Sequence, residues 1–265
     1  MKIAVVGAAG RMGQMLIRRI AATEGLELAG ASESPNSNAL GRDAGEVAGL
    51  DACDVTITGD SAAAIAAADA VIDFTIPAAT VAHAKIAMEK GVAMVIGTTG
   101  LDLTQTALIH EAAKHVPIMW AANMALGVNI LLALVEQTAA MLDPAYDIEI
   151  LEMHHRHKID APSGTALALG KAAAAGRQVE LEKVWRKSRD GHTGARPSGE
   201  IGFATLRGGE EVGVHTVMFA AAGERLELSH RSFSRETYAS GAVRAALWLE
   251  DRKPGLYGMK DVLGL

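Results

Sequence analysis

The sequence predicts an α/β protein: a doubly wound parallel sheet followed by a smaller α+β domain. In the first half of the chain, short apolar runs without strict polar alternation are separated by Ala-rich helical segments, a pattern typical of buried parallel strands. Hydrophobic residues make up 49% of the 265 residues but aromatic residues only 4%, which favours helices packed on a sheet. Beyond Asp147, apolar runs joined by Gly-containing turns predict antiparallel strands.

The first part alternates strands and helices in order. The apolar run IAVVG predicts the first strand, and a helix is predicted from about Arg11 to Thr23. Further apolar runs are LELAGASE, AAIAAADAVIDFT, VAMVIGTTG and VPIMWAANM, with a helix predicted near Ala78 to Lys90. LGVNILLALVEQTAAML then gives a long helical pattern that leads away from the sheet.

The second part begins near Asp147, where DIEILEMHH predicts a strand and TALALGKAAAAG a helix. EIGFATLRGGEEVGVHTVMFAAAGERLELSHR predicts strands joined by turns at GGEE and AAGE. The tail returns to a helix with Val243 and Leu247 on one face, ended by Lys253, Pro254 and Gly255. This helix fits against either domain.

Composition excludes several classes of protein. The formal net charge is -6, and no long Lys/Arg tract predicts binding to nucleic acid or to an anionic membrane. Cys53 is the only cysteine, which excludes an intrachain disulfide framework and a cysteine-based zinc site. The chain opens on MKIAVVG without signal-peptide features, and no apolar stretch reaches about 18 residues. We therefore expect a cytoplasmic, soluble protein.

A glycine loop follows the first strand. Gly7, Ala8, Ala9, Gly10, Arg11, Met12 and Gly13 form a G-x-x-G-x-x-G variant of the dinucleotide fingerprint. Glycine permits the tight turn from strand to helix and lets backbone N–H groups approach a pyrophosphate. A purely structural turn is the alternative, because glycine also serves tight turns that bind nothing.

Glu33 favours dinucleotide binding. It ends the second predicted strand 20 residues after Gly13, where an acidic side chain accepts hydrogen bonds from the ribose hydroxyls. Ser34 stands where an arginine would hold a 2′-phosphate, so NADH is favoured, although Arg11 keeps NADPH possible.

Other strand ends belong to the same crevice, because ligands of open α/β sheets bind outside the carboxyl ends of the strands. These are Asp73, Phe74 and Thr75; Gly97, Thr98 and Thr99; and Ala121, Ala122, Asn123 and Met124. GTTG also fits a turn before a helix capped by Asp102 or Thr104, and the two interpretations are compatible.

Residues 154–158, HHRHK, allow three interpretations. A metal site would use His155 and His157 as alternate strand residues with Glu149 or Glu152, but no third ligand stands at a recognisable spacing, so no metal is expected. A solvated basic face is the second interpretation. The third is an anionic substrate site, since His154 and Lys158 share a face in either a strand or a helix.

The residues that follow strengthen the third interpretation. Pro162, Ser163, Gly164 and Thr165 precede an Ala-rich helix and present backbone N–H groups and hydroxyls at its N-terminus, which suits a carboxylate or phosphate. Two adjacent anion sites predict a ligand with two carboxylates. Because histidine titrates near neutrality and lysine can be tuned, His154 and Lys158 also suit proton transfer. Together the two domains predict a reductase.

At these residues the sequence closely resembles the 4-hydroxy-tetrahydrodipicolinate reductase (dihydrodipicolinate reductase) family of lysine biosynthesis by the diaminopimelate route. The resemblance covers essentially the whole chain, through GAAGRMG, DFT, GTTG, AANMALGVN, EMHHRHKIDAPSGTA, ARPSGEIGFATLRGGEEVGVHT and KPGLYGMKDVLGL. The EMHHRHK and APSGTA stretch is highly specific, whereas the glycine loop alone would not be.

The resemblance implies a Rossmann-like cofactor domain over residues 1–124 with 235–265. It also implies a substrate and tetramerisation domain over 125–234, with an open mixed sheet. It assigns His154 as the catalytic proton donor and acceptor and Lys158 as the second proton donor. His155, Ser163, Gly164 and Thr165 would hold the substrate carboxylates. The glycine loop, Glu33 and the ends of the later strands would line the cofactor.

The implied reaction begins with loss of water from the 4-hydroxy imine substrate. Hydride then adds at ring C4, and a proton is delivered at C3 during the imine/enamine shift. Family members that grip NADPH firmly tend to carry arginine at the position of Ser34, so NADH is expected to serve at least as well as NADPH. The alternatives are another two-domain NAD(P)-dependent oxidoreductase, a non-catalytic dinucleotide sensor and, last, a metal-dependent hydrolase.

Overall fold

A seven-stranded parallel sheet forms the centre of the first of two compact units in the computed structural model, which describes all residues from Met1 to Leu265. This unit contains Met1–Ala125 and Glu236–Leu265. Its elements up to residue 125 are β1 (Lys2–Val6), α1 (Arg11–Ala21), β2 (Glu27–Ser32), α2 (Ala44–Val47), β3 (Ile57–Thr58), α3 (Ser61–Ala66), β4 (Ala70–Asp73), α4 (Pro77–Lys90), β5 (Ala93–Ile96), α5 (Leu103–Ala112) and β6 (Pro117–Trp120).

The apolar composition of the central strands follows from their position. Every residue of β4 and β5 is buried, because a parallel strand inside a doubly wound sheet is covered on both faces. The chain runs outward from β1 to β2 and β3 on one side and from β4 to β5 and β6 on the other. The strand order therefore reverses between β1 and β4, where open α/β sheets bind their ligands.

The second unit, Leu126–Arg235, is built on a mixed five-stranded sheet. Its elements are α6 (Leu126–Met141), β7 (Asp147–His154), α7 (Gly164–Gly176), α8 (Leu181–Val184), β8 (Trp185–Arg186), β9 (Ile201–Arg207), β10 (Gly213–Ala221) and β11 (Glu224–Ser232). One face of the sheet packs on α6 and α7 through a core that includes Leu169, Phe203 and Phe219.

The order of this sheet, β11-β10-β7-β9-β8, corrects one expectation from the sequence. β10 and β11 form the antiparallel hairpin that the AAGE turn predicts. β9 and β10, joined through GGEE, are not neighbours, because β7 lies between them and pairs parallel with β9 and antiparallel with β10. The open mixed sheet implied by the family resemblance is confirmed.

The tail belongs to the first unit. It forms α9 (Glu236–Leu249), β12 (Gly255–Tyr257) and α10 (Met259–Leu263). β12 pairs parallel with β6 and completes that edge of the sheet, a strand that the sequence did not predict. The end of the helix near Lys253 to Gly255 is confirmed to within a few residues. Asp102 caps α5 through a capping box with Gln105, so Asp102 rather than Thr104 is the cap.

None of the helices combines the length and the apolar character needed to cross a membrane.

Gly241 lets α9 lie against the loop that follows β6. A Cβ atom built on Gly241 would lie 1.8 Å from the backbone oxygen of Met124, and no side-chain rotation relieves a clash with backbone. We therefore expect Gly241→Ala to lower the free energy of unfolding by about 1–3 kcal/mol through overpacking. In an unhindered helix interior the same change would stabilise by about 1 kcal/mol.

Thermal unfolding followed by circular dichroism measures this effect, with Gly59→Ala as the matched control in the same unit. A Cβ on Gly59 would have its nearest neighbour at 3.8 Å, an ordinary contact. A Gly241→Ala protein that melts at or above the melting temperature of the unmodified chain would contradict the expected clash.

Candidate active site

The glycine loop leads directly from β1 into the N-terminus of α1. Gly7 has φ +69, in the left-handed region that favours glycine. A Cβ atom on Gly13 would lie 2.2 Å from the backbone oxygen of Gly7, so only glycine lets the first turn of the helix pack on the loop. Gly10 is the N-cap and offers no side-chain acceptor, which leaves the first N–H groups of α1 without a capping side chain.

Glu33 lies beside this loop immediately after β2. Its Oε2 accepts a hydrogen bond from the backbone N–H of Ala9 at 3.1 Å, and its Oε1 accepts one from Ser34 N–H at 2.8 Å. The carboxylate is therefore held next to the helix N-terminus. In the dinucleotide fingerprint, this is the position of the acidic residue that hydrogen-bonds to the ribose.

The later strand ends lie at the same edge of the sheet because β4, β5 and β6 run parallel to β1. The buried carboxylate of Asp73 accepts hydrogen bonds from Thr75 N–H at 2.8 Å and from the Thr75 hydroxyl at 2.6 Å, and its Oδ2 lies 2.8 Å from His83 Nδ1. The buried Thr98 hydroxyl bonds to Thr80 Oγ1 at 2.8 Å. Asp73 and Thr98 therefore use their side chains to brace the strand ends, while Thr99 is exposed.

These residues fit a nicotinamide dinucleotide. The uncapped N-terminus of α1 presents backbone N–H groups and the positive end of the helix dipole to a pyrophosphate. The carboxylate of Glu33 is an acceptor for hydrogen bonds from ribose hydroxyls. Arg11 is exposed at the first position of the helix. Of the strand-end residues predicted to line the cofactor, Met124 is buried, and its backbone faces α9.

In the second unit, a buried polar cluster lies at the carboxyl end of β7. His154 is the last residue of this strand, and its Cα pairs with Arg207 on β9, while Glu152 pairs with His215 on β10. Glu152 is 1% exposed, His215 4% and His154 9%. Strand alternation places all four side chains on the face that carries α6 and α7.

Glu152 is the most heavily bonded member of the cluster. Arg207 forms a bidentate pair with it, both N–O distances being 2.9 Å, while His154 Nδ1 lies 2.6 Å from Oε2 and Ser163 N–H donates to Oε1 at 3.0 Å. Burial alone would raise the pKa of Glu152, but the bonds from Arg207, His154 and Ser163 lower it below the ordinary value. The buried carboxyl group is therefore ionised.

Burial lowers the pKa of both buried histidines, because it disfavours their charged form. Burial lowers the pKa of His154, the bond and charge of Glu152 offset part of that effect, and Lys158 and Arg207 lower it further. Burial also lowers the pKa of His215 to about 4. The His215 ring stands edge-on to His154 with 5.1 Å between centroids, and its Nε2 lies 3.1 Å from the Ser163 hydroxyl.

Residues 155–163 form a loop, so the expectation that His154 and Lys158 share a face of one strand or one helix is wrong in its geometry. β7 ends at His154, and a turn closed by Lys158 N–H donating to the His155 carbonyl at 3.1 Å reverses the chain. The Lys158 ammonium lies 2.7 Å from Asp160 Oδ1. His155 Nε2 lies 3.3 Å from Arg235 Nη2, whereas Arg156 and His157 are exposed.

The loop ends where α7 begins, at Gly164, as the SGT segment predicts. Ser163 is the N-cap, and its hydroxyl accepts a hydrogen bond from Ala166 N–H at 3.2 Å. A Cβ on Gly164 would meet nothing within 4 Å, so this first turn faces open space. The same Ser163 joins Glu152 and His215, which ties the helix N-terminus to the cluster.

The geometry also bears on the metal interpretation. His155 and His157 lie in the loop, so they are not the alternate strand ligands that this interpretation assumed. Glu152, His154 and His215 do bring one possible ligand atom each to within 4.8 Å of one another. Arg207 occupies both oxygens of the same carboxylate, however, and a guanidinium there repels a second cation. This arrangement favours a hydrogen-bonded network over a metal centre.

Sequence reasoning missed Arg207, His215 and Arg235 and considered Glu152 only as a metal ligand. Glu152 carried a local signal, because it stands two residues before His154 and so shares its face of the strand. Arg207 and His215 lie more than 50 residues further along the chain, and only the strand pairing brings them to the site.

Comparison with known proteins places the chain in one family. The model described as the N-terminus of dihydrodipicolinate reductase matches residues 1–124, and that described as its C-terminus matches residues 127–263. A protein named 4-hydroxy-tetrahydrodipicolinate reductase from Rhizobium rhizogenes is 55% identical over 100% of this chain and 97% of its own length. One of the same name from Rhodopseudomonas palustris is 52% identical over 100% of this chain and 98% of its own.

A solved structure agrees. The dipicolinate-bound dihydrodipicolinate reductase from a Paenisporosarcina species is 25% identical, covers 98% of each chain and superposes with a TM-score of 0.78. Two family models that together span nearly all residues, and relatives more than half identical over the full length, establish the assignment. The chain belongs to the dihydrodipicolinate reductase family.

Proposed function

We propose that the protein reduces 4-hydroxy-tetrahydrodipicolinate to tetrahydrodipicolinate with loss of water, in lysine and diaminopimelate biosynthesis. The observation that carries the proposal is the position of buried His154, beside the loop of residues 155–163 that contains Lys158 and beside the N-terminus of α7. The chain matches this family over nearly all of its residues. Water leaves the substrate, hydride adds at ring C4, and a proton is delivered at C3.

We assign the cofactor to the first unit, whose bounds, Met1–Ala125 and Glu236–Leu265, differ by one residue at each boundary from the expected 1–124 with 235–265. The loop from Gly7 to Met12 and Glu33 would hold the pyrophosphate and ribose, with Gly97 to Thr99 and Ala121 to Met124 contributing from the later strand ends. Bound NADH or NADPH would supply the hydride. Ser34 puts no positive charge beside Glu33, so NADH should be used at least as well as NADPH.

We assign the substrate to the second unit, Leu126–Arg235, where the sequence led us to expect 125–234. The N-terminus of α7 at Gly164 and Thr165 would bind one carboxylate through backbone N–H groups, and His155 the other. Ser163 holds this turn in place through its cap and its bond to Glu152. The related structure with bound dipicolinate supports a planar ring with two carboxylates as the ligand class.

Two side chains are available for proton transfer. His154 is predominantly neutral near pH 7 because its pKa is lowered, and two substrate carboxylates nearby would raise that pKa and let it take up a proton. Lys158 Nζ lies 2.7 Å from Asp160 Oδ1 and would act as the second donor. Each of the two groups would therefore give a proton to the substrate and take one back in every cycle.

The sheet of the second unit suggests how copies of the chain assemble into a homotetramer. Its face opposite α6 and α7 carries Leu151, Met153, Leu206 and Met218, and Leu206 is 47% exposed. Apolar side chains on a sheet face that no helix layer covers are a typical site for pairing with another copy. The free, exposed Cys53 fits the cytoplasm, where thiols stay reduced.

The reaction itself is tested by following NADH absorbance with freshly generated 4-hydroxy-tetrahydrodipicolinate. We expect substrate-dependent oxidation of NADH, with pyridine-2,6-dicarboxylate competing against the substrate. Oxidation that this planar dicarboxylate does not inhibit would favour another two-domain oxidoreductase. An absence of turnover despite dinucleotide binding would favour a non-catalytic sensor.

Removal of either proton-transfer group should affect catalysis but not cofactor binding. We expect His154→Ala and Lys158→Ala to lower kcat by about a hundredfold or more, since general acid–base catalysis contributes about 10²–10⁴-fold. NADH affinity, measured by fluorescence titration, should stay within about twofold because both residues lie in the second unit. His157→Ala is the matched control: an exposed histidine in the same loop, whose loss should leave kcat unchanged. Equal losses of cofactor affinity would show that the site is misplaced.

Cofactor preference can be read from kcat/KM with each dinucleotide. The unmodified protein should use NADH at least as efficiently as NADPH, and Ser34→Arg should improve NADPH selectively by placing a guanidinium near the 2′-phosphate. Ser34→Ala controls for loss of the hydroxyl. A much higher efficiency of the unmodified protein with NADPH would refute the proposed preference.

A further inference from the structure

The carboxylate of Glu152 has no acceptor capacity left. Oε1 faces Ser163 N–H at 3.0 Å and Arg207 Nη2 at 2.9 Å, while Oε2 faces Arg207 Nη1 at 2.9 Å and His154 Nδ1 at 2.6 Å. A carboxylate offers about four acceptor positions, and all four are used here. With 1% of Glu152 exposed, water does not compete for them.

This saturation determines the tautomer of His154. Arg207 and the backbone of Ser163 can only donate, so Glu152 must be ionised and can only accept. His154 Nδ1 must then carry a proton at its 2.6 Å contact with Oε2. Neutral imidazole has a single N–H, so Nε2 holds the lone pair whenever His154 is neutral.

We infer that Glu152 is the positioning residue of the site: it fixes the Nδ1 proton of His154 and leaves Nε2 as the atom that exchanges protons with the substrate. Arg207 has a supporting part, since its bidentate pair holds the carboxylate in plane and ionised. The inference rests on the proposed role of His154 in proton transfer and adds to it the atom that acts and the residue that selects that atom.

Glu152 is the only anionic group in contact with His154. Lys158 and Arg207 are positive and lower the pKa of His154, and His215, edge-on at 5.1 Å, is neutral because its own pKa is about 4. His230 on β11 likewise has a pKa lowered by burial. Asp160, the other nearby carboxylate, is bonded to Lys158. Loss of the Glu152 charge should therefore lower the pKa of His154 further.

Glu152→Gln is the sharpest test because it replaces one acceptor by a donor of the same shape. An amide nitrogen in place of Oε1 would face two fixed donors, Ser163 N–H and Arg207 Nη2. In place of Oε2 it would face Arg207 Nη1 and His154 Nδ1, and His154 can become an acceptor by moving its proton to Nε2. The second orientation leaves fewer donors opposed, so the substitution favours the wrong tautomer.

The expected results are a loss and a spectroscopic change. In the comparable replacement of the aspartate in a Ser-His-Asp triad, a wrong tautomer costs about 10⁴-fold in kcat, and we expect a loss of about a hundredfold or more here. Side-chain ¹⁵N NMR, with His154 assigned by the loss of its signals in His154→Gln, should show protonation of Nδ1 in the unmodified protein and of Nε2 in Glu152→Gln. The limb of the kcat/KM profile that reports His154 should move to lower pH.

Two further variants separate positioning from folding. Glu152→Asp keeps the charge and should restore the Nδ1 tautomer and part of the turnover. Glu149→Gln is the matched control on the same strand: that carboxylate also pairs with arginines, Arg189 and Arg196, but on the opposite face, and its loss should leave kcat within about twofold. Circular dichroism and molecular mass verify that each variant is folded and assembled as the unmodified protein is.

The outcomes distinguish this inference from the proposed function. A folded Glu152→Gln protein with an Nδ1-protonated His154 and near-normal turnover would overturn the positioning role. If His154→Gln itself leaves turnover unchanged, the proposed acid–base role of His154 fails, while the NMR tautomers still decide whether Glu152 controls its proton. A loss of turnover in Glu152→Gln without any change of tautomer or pH profile would also count against the inference.

Discussion

A single buried carboxylate, Glu152, determines how the site in the second unit is organised. Burying an ion without partners is prohibitively costly, so a glutamate that is 1% exposed persists only if every lone pair is satisfied. Its partners come from β7, from β9 through Arg207, and from the start of α7 through Ser163. One charge therefore fixes a strand end, a neighbouring strand and a helix N-terminus relative to one another, and the residues proposed for catalysis and for carboxylate binding lie where these elements meet.

The first unit also gives its carboxylates hydrogen-bond partners within the protein, but these interactions are weaker. Its charged groups at the strand ends are bonded mostly to backbone: Glu33 accepts from Ala9 and Ser34, and only Asp73 lies fully inside, with Thr75 and His83 as partners. The glycine loop leaves the helix N-terminus without a capping side chain, so a ligand can supply the missing acceptor. The first unit thus leaves donors for a ligand, whereas in the second unit Arg207, His154 and Ser163 N–H donate to a carboxylate of the protein itself.

The sequence predicted those features that depend on local pattern. The buried strands of the first unit, the glycine loop, α7 beginning after Ser163 and the cap at Asp102 all follow from periodicity or from the chemistry of a turn within a few residues. The insertion of β7 between β9 and β10 depends on pairing across tens of residues, and no turn signal contains it. The pairing of Arg207 with Glu152 depends on that insertion, so the central interaction of the site was beyond local reasoning.

The basic run HHRHK can now be explained as a balance of charge. His154 is held by Glu152, and Lys158 by Asp160, so two of its five residues have an anionic partner already within the protein. Arg207 and Arg235 add positive charge from elsewhere in the same unit, and Arg235 stands beside His155. The internal carboxylates hold the cluster together but do not neutralise it. The proposed substrate, with its two carboxylates, would supply the remaining negative charge. By raising the pKa of His154 it would also convert a neutral acceptor into a proton donor when the substrate is bound.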